Sequence, residues 1–149
     1  MLRKATYTDI QALVRLRLLL LEETGESERD DQALQQATEQ YMSTEMRKDR
    51  FYAMVIEEAG EIVSVGSVVL FERPPYPSNL LGKEAYILNM YTLPSFRNKG
   101  YATKILDKLI KECKHKDVKR IWLHASEAGK NMYRTSGFKE KKSEMEYLF

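Results

Sequence analysis

Two segments of the chain carry apolar residues at the spacing of one helix face. The first stripe follows a capping pattern at Thr8 and Gln11 and consists of Ile10, Leu13, Val14, Leu18 and Leu21. The second stripe consists of Ala102, Ile105, Leu106, Leu109, Ile110 and Cys113. Leu16, Leu19 and Leu20 lie off the first stripe. Both segments are predicted to be core helices, and the end of the first either packs on both sides or lines a substrate cleft.

Weaker patterns predict two more helices. One follows a polar, acidic loop over residues 22–31, and its face consists of Leu34, Ala37, Tyr41 and Glu45. The other is short and covers residues 131–136, where Gly137 provides a stop signal. Neither pattern is as regular as the two stripes above.

Apolar runs predict strands over residues 2–6, 51–57, 62–71, 85–93 and 118–125, with a last strand or hairpin from Phe138 toward Tyr147. The second and third runs are joined by a short turn, which is typical of an antiparallel hairpin. The strand–helix–strand order between residues 85 and 125 favours a parallel βαβ unit. The predicted fold class is a mixed α/β domain over residues 1–149. It has a central mixed sheet flanked by helices and the order β-α-α-β-β-β-α-β-α-β.

Composition and charge exclude several classes of protein. The chain has 149 residues, which is the size of one domain, with 24 Lys and Arg against 22 Asp and Glu. This balance argues against a nucleic-acid partner. No apolar run approaches the roughly 20 residues of a membrane span, and no targeting segment is recognisable. Two His and one Cys show no metal-ligand spacing, and a lone cysteine fits a cytoplasmic protein.

Candidate chemistry is concentrated in residues 97–102, RNKGYA, between a strand and the most regular helix. The start of a helix exposes unpaired N–H groups and the positive end of its dipole, which suit a phosphate. Gly100 allows a tight turn and a close approach to a ligand, Ala102 is small, and Arg97 and Lys99 add positive charge. Cations are disfavoured at this end of a helix unless an anion binds, so a purely structural role is the weaker alternative.

This loop resembles the R/Q-x-x-G-x-G/A pyrophosphate motif of the GNAT superfamily of acyl-CoA N-acetyltransferases. Residues 93–96, LPSF, resemble the lead-in to that motif, and residues 132–138, MYRTSGF, resemble the family's L-Y-x-x-x-G-F segment. The resemblance is specific between Ala85 and Phe138. It implies the GNAT fold and an enzyme that moves an acetyl group from acetyl-CoA, its cosubstrate, to an amine acceptor. The acceptor is a small molecule, a peptide or a protein.

The resemblance also implies an acetyl-CoA site. Strand residues Asn89 to Thr92 would splay from their neighbour at a bulge, bind the pantetheine arm and polarise the thioester carbonyl. Ser126 stands near the place where many relatives carry an Asn. The full implied set is Asn89, Met90, Tyr91, Thr92, Arg97, Asn98, Lys99, Gly100, Tyr101, Ala102, Thr103, Ser126, Asn131 and Tyr133.

Acetyl transfer to an amine also needs groups that move protons. An amine with a pKa near 10.4 is only about 0.1% neutral at pH 7, so a base must take its proton. By resemblance, Tyr133 protonates the CoA thiolate, with packing against the sheet as its alternative role. His124 resembles a position where some members place a catalytic glutamate, and its alternative is an ordinary hydrogen-bonding role. Weaker candidate bases are Glu84, Glu127 and Glu22.

Two other functions and the assembly state stay open at this point. A non-catalytic acyl-CoA-binding sensor would keep the phosphate loop without the acid and base. A nucleic-acid or protein-interaction module fits poorly, because the charge is nearly neutral. A homodimer is compatible with the sequence.

Overall fold

The computed structural model describes residues 1–149, and its centre is a five-stranded sheet. Its strands, in spatial order, are β1 (Leu2–Lys4), β2 (Phe51–Glu58), β3 (Glu61–Glu72), β4 (Lys83–Thr92) and β5 (Arg120–Trp122). Neighbours are antiparallel from β1 to β4, whereas β4 and β5 are parallel. The predicted mixed sheet, with parallel strands on either side of the second amphipathic helix, is confirmed.

Helices cover both faces of the sheet: α1 (Ile10–Glu23), α2 (Gln32–Arg47), α3 (Tyr101–His115) and α4 (Lys130–Thr135). The first core lies between the sheet and α1 with α2, and the second core lies between the sheet and α3 with α4. Leu16 is buried in the first core, with Leu19 and Leu20 partly buried against it, so the end of α1 packs on both sides. Cys113 is buried in the second core. No helix is both long and apolar enough to cross a membrane.

A β-bulge interrupts β4 at Asn89. The register on its two sides pairs Val65 with Tyr91 and Ser67 with Leu88. Asn89 has a φ of 58°, in the left-handed region that asparagine tolerates better than most residues. Gly66 faces the bulge, where a Cβ would come within 2.4 Å of Met90 Sδ and 2.5 Å of Ile105 Cγ2. The absence of a side chain at Gly66 therefore allows the bulge to pack.

The capping pattern predicted at Thr8 and Gln11 is wrong, although α1 begins at Ile10, the first residue of the predicted stripe. The strand ends at Lys4, and a 3₁₀ turn over Tyr7–Asp9 precedes α1. The cap forms at Thr6, whose N–H donates to the Asp9 carboxylate at 2.8 Å, and not at Thr8 and Gln11. Arg3 binds the same carboxylate at 2.7 Å, which holds Asp9 in this place.

The predicted face of the second helix is also wrong. Thr38 and Met42 are its buried residues, whereas Ala37 and Tyr41 are exposed. Asp31 starts the helix by accepting the Leu34 N–H at 3.0 Å. The helix is therefore rotated so that Met42 enters the first core.

The last predicted strand is not formed, and the strand predicted over residues 118–125 covers only Arg120–Trp122. The segment after Phe138 is held by side chains instead of backbone ladders: Glu140 pairs with Lys130 at 3.1 Å, and Glu144 pairs with His124 at 2.5 Å. The five successive residues KEKKS are all polar, and water and ion pairs satisfy their side chains, so burial against a sheet is not favoured. The outer edge of β5 therefore stays unpaired within the chain.

Glu84 connects β4, β5 and the proline-rich loop. Its side chain is fully buried, and its carboxylate accepts bonds from Arg73, Tyr76, Arg120 and Trp122 at 2.7–3.1 Å. Burial raises the pKa of this carboxyl, but the hydrogen bonds and the two guanidinium groups outweigh burial and leave the pKa below its ordinary value. Glu84 is thus a structural anion and not the base that the sequence left open.

We expect Glu84→Ala to lower the free energy of unfolding by about 3 kcal/mol or more, because it leaves two guanidinium groups and the partly buried Tyr76 phenol without their anion. Thermal and urea unfolding measure this loss. Glu61→Ala is the matched control, since its ion pair with Arg15 is exposed and should cost under about 1 kcal/mol. Because the folded pKa of Glu84 is lowered, its contribution is present above the unfolded pKa and is lost as the pH falls through the folded value. Equal destabilisation by the two variants would contradict this role.

Candidate active site

The free edge of β4 forms one wall of the candidate site. The parallel ladder between β4 and β5 runs from Glu84 and Arg120 to Tyr86 and Trp122 and ends there. The strand β4 continues for another six residues to Thr92. Beyond Tyr86 its backbone groups on this side have no strand partner, and the bulge at Asn89 lies within this free stretch. The expectation of a strand that separates from its neighbour at a bulge fits this geometry.

The loop before α3 forms a second wall. Gly100 has a φ of 78° and stands just before the helix, in a conformation that side chains disfavour. The first bond of α3 runs from the Lys104 N–H to the Gly100 carbonyl at 3.1 Å. The amides of residues 101–103 precede this bond and have no acceptor within the helix. They are the type of donor that binds phosphate oxygens.

Arg97 is placed differently from the simple expectation of a phosphate-binding cation. Its Nη2 donates to both carboxylate oxygens of Glu23, at 2.9 and 3.0 Å, and its Nε donates to the Thr92 carbonyl at 2.9 Å. It therefore fastens the end of α1 to the end of β4. Lys99 lies over the Phe96 ring at 5.0 Å, and its ammonium makes no ion pair.

Tyr133 lies on α4 and is buried in the second core. Its exposed fraction is 9%, and its ring packs edge-on against Phe138 at 5.8 Å. Burial raises the pKa of Tyr133 to about 12, and the charge of Tyr86 adds to the rise. The hydroxyl has no hydrogen-bond partner in the chain and remains protonated at neutral pH.

His124 lies just beyond β5 and joins two other side chains. Its Nδ1 is 2.5 Å from the Tyr86 hydroxyl, and its Nε2 is 2.5 Å from Glu144 Oε2. A carboxylate can only accept, so Nε2 carries hydrogen, and in the neutral ring Nδ1 accepts from Tyr86. The imidazole is thus hydrogen-bonded on both of its nitrogens, to the Tyr86 hydroxyl and to the Glu144 carboxylate.

The two residues predicted near α4 have local roles in the chain. Ser126 accepts the Gly129 N–H on its hydroxyl at 3.2 Å and on its carbonyl at 3.1 Å, just before α4. Asn131 is exposed, and its carbonyl accepts the Thr135 hydroxyl at 2.9 Å. Neither side chain is used inside the fold in a way that would prevent contact with a ligand.

A cavity of about 980 Å³ lies along the outer edge of β5, between α4 and the C-terminal segment. His124 and Tyr133 both line it, whereas the loop before α3 does not. The cavity occupies the space next to the unpaired β5 edge, so it differs from the β4–β5 opening described above. Of the weaker candidate bases, Glu127 pairs with Lys130 at 2.8 Å, and Glu22 lies 3.9 Å from Arg29.

The model of the acetyltransferase (GNAT) family matches residues 13–138, which contain the bulged strand, the phosphate-type loop and Tyr133. The chain is a member of the GNAT acetyltransferase family. No curated protein sequence matches it significantly.

Solved structures support the same assignment for this GNAT protein. A predicted acetyltransferase from Clostridium acetobutylicum, solved with acetyl-CoA, is 30% identical with a TM-score of 0.92, covering 99% of this chain and 95% of that one. A GCN5-related N-acetyltransferase from Ralstonia eutropha is 25% identical with a TM-score of 0.86, covering 99% and 97%. Glucosamine-6-phosphate N-acetyltransferase from Arabidopsis thaliana, at 22% identity and a TM-score of 0.77 over 100% and 97%, shares the fold.

Sequence reasoning missed two side chains that contact His124 in this GNAT protein. Tyr86 is an aromatic residue of the kind found in many strands, and Glu144 lies in a charged tail. The alternation of β4 was the available signal for Tyr86, because it places Tyr86 and Glu84 on one face. No local pattern could have found Glu144, whose contact with His124 spans 20 residues.

Proposed function

We propose that this GNAT protein is an acetyl-CoA-dependent N-acetyltransferase that acetylates a primary amine of a small molecule, peptide or protein. The observation that carries the proposal is the early end of the β4–β5 ladder at Tyr86, because the residues of β4 that follow have free backbone groups on the side of β5. Backbone donors fixed in this way suit the oxygen that becomes negative during acyl transfer.

The residues for the cosubstrate are those named from the sequence. The unpaired amides at the start of α3 and the turn at Gly100 would hold the pyrophosphate, with Lys99 as a nearby cation. The free stretch from Asn89 to Thr92 would hold the pantetheine arm. Arg97 would serve chiefly by keeping this stretch and α1 together, since its donors already bind Glu23 and the Thr92 carbonyl. When bound, acetyl-CoA supplies an acetyl thioester.

Removal of the amine proton is assigned to Tyr86 and His124 acting together. The amine N–H bond breaks as its proton passes to the Tyr86 oxygen, while the Tyr86 proton passes to His124 Nδ1. Glu144 then faces an imidazolium and stabilises it by charge. In this arrangement His124 Nδ1, 2.5 Å from the Tyr86 hydroxyl, acts on the amine through that hydroxyl.

Tyr133 is assigned to the other proton transfer. As the new C–N bond forms and the C–S bond breaks, its hydroxyl donates to the sulfur that leaves. A pKa of about 12 keeps that hydroxyl protonated until the thiolate appears. After attack the nitrogen still carries one proton more than the amide product, and that proton, or one from solvent, restores the Tyr133 hydroxyl.

The proposal is tested by mixing the protein with acetyl-CoA and a panel of amines and peptides, while CoA release is followed and products are weighed by mass spectrometry. Acetylated amine, formed with one equivalent of CoA, is the expected result. If acetyl-CoA raises the melting temperature but no acceptor gives a product, the protein binds acetyl-CoA without catalysing acetyl transfer.

We expect His124→Ala to lower turnover about ten-fold at neutral pH. Loss of an enclosed general base costs roughly 100-fold or more, but His124 is half-exposed, so water can replace it in part. The loss should shrink as the pH rises toward 10, where the amine deprotonates by itself. A pH–rate profile measures it, with His115→Ala at the exposed end of α3 as the control. A loss of the same size at every pH would leave His124 with a structural role.

A further inference from the structure

Arg17 differs from the other arginines of the chain. Eight of the ten arginines lie within 4.0 Å of a carboxylate, whereas Arg17 and Arg47 do not. Arg47 is exposed at the end of α2, but Arg17 is partly buried between α1 and the sheet. A partly buried guanidinium without an anion is costly unless something supplies one.

The bulge holds this guanidinium in place. Arg17 Nη1 donates to Asn89 Oδ1 at 2.5 Å, and Asn89 itself is 5% exposed. This bond uses one of the five donors of the guanidinium, and no other bond of Arg17 is made in the chain. The side chain of Asn89 thus binds Arg17, while the backbone of Asn89 lies on the free edge of β4.

Two buried polar atoms of β3 and β4 also lack partners, one in Asn89 and one in Ser67, which pairs with Leu88 next to Asn89. They are Asn89 Nδ2 and Ser67 Oγ, and no other buried side-chain nitrogen or oxygen in the chain is unpaired. Val65 and Val69 both pack in the first core, so Ser67, which alternates with them along β3, points to the same side as Arg17. Unpaired polar groups gathered at one place indicate a missing polar ligand or its water.

Opposite charges surround the neighbouring phenol. Burial raises the pKa of Tyr86, the charges of Glu144 and Glu26 add to that rise, and Arg17 opposes it. In the geometry, the Tyr86 hydroxyl contacts His124, and His124 in turn contacts Glu144. Three strand residues, roughly 10 Å, separate Tyr86 from the bulge that holds Arg17.

We propose that Arg17, positioned by Asn89, binds an acid group of the acceptor, so that the substrate is a small amine that also carries a carboxylate or a phosphate. The inference rests on the proposed acetyl transfer. The acid end of such a compound meets the free donors of Arg17, and its amine lies toward Tyr86, to which the proposed mechanism passes the amine proton. A guanidinium suits both carboxylate and phosphate because its donors form a planar fork.

The test compares matched acceptors in the presence of acetyl-CoA: L-amino acids with their carboxamides, and O-phosphoethanolamine with ethanolamine. We expect the acid-bearing member of one pair to have a KM roughly 20-fold lower and to raise the melting temperature. Arg17→Gln should remove this preference, Arg17→Lys should restore part of it, and Arg15→Gln on the exposed side of α1 should keep it whole. The pair that shows the preference identifies the acid group.

Two results overturn the inference: wild-type protein that treats acid and neutral members alike in both KM and melting temperature, or a preference that survives Arg17→Gln. They are separable from a failure of the enzyme itself. If neutral amines are acetylated at the same rate as acid-bearing ones, the proposed acetyl transfer stands and the role of Arg17 is wrong. Acid-bearing amines that raise the melting temperature through Arg17 without any CoA release would support the site and remove the proposed enzyme.

Discussion

Replacement of Gly100 by valine is expected to abolish the rise in melting temperature that acetyl-CoA gives the wild-type chain. That rise should be roughly 5 to 10 °C at a ligand concentration 100-fold above Kd. Gly100 has a φ of 78°, where a β-branched residue is strained, and the strain is relieved by turning the loop away from the amides at the start of α3. Differential scanning fluorimetry with and without acetyl-CoA measures the effect.

Gly60→Val is the matched control for this variant. Gly60 has a φ of 79° in the β2–β3 turn, and a Cβ at either glycine meets no atom within 4 Å. Both substitutions therefore carry a similar strain of about 1–3 kcal/mol. The Gly60 variant should keep its full response to acetyl-CoA. A normal response from the Gly100 variant would place the phosphate site elsewhere.

Tyr133→Phe is expected to reduce turnover roughly 100-fold, in line with the removal of one general acid, while acetyl-CoA affinity stays nearly normal. The substitution keeps the ring against Phe138 and removes a hydroxyl that makes no bond within the fold. Folding should consequently change little. Steady-state kinetics, together with the melting temperature with and without acetyl-CoA, separate chemistry from binding.

Tyr52→Phe provides the comparison, because it removes another tyrosine hydroxyl from the same second core. That hydroxyl lies 3.5 Å from Cys113 Sγ, in a part of the core without site residues. We expect stability to fall slightly and turnover to stay the same. If Tyr133→Phe shows that same pattern, its phenol packs the core and takes no part in the reaction.

Periodicity predicted the larger elements well. The stripe in α3 is regular because one helix face packs against one sheet face, so each core contact appears at a fixed spacing. The weak stripe of α2 predicted the wrong buried face, since Tyr41 is exposed and Met42 is buried. When a helix buries few residues, the contacts of one or two of them decide which of its faces turns toward the core. The predicted final strand is not formed, for a related reason. A terminal segment becomes a strand only when it pairs with another strand, and here side-chain ion pairs hold the segment instead.

Local sequence determined what depends on neighbours in the chain: the turn at Gly100, the amides it leaves free, the βαβ order and the position of Tyr133 before Gly137. Only the tertiary structure decided the contacts between distant segments. Arg97 was predicted as a free cation and instead binds Glu23 across 74 residues. Arg17 was an interruption in a leucine run until α1 packed on the sheet and brought it to Asn89 across 72 residues. Backbone conformation and periodicity are set by short-range sterics, whereas the pairing of charges depends on which surfaces the packed core brings together.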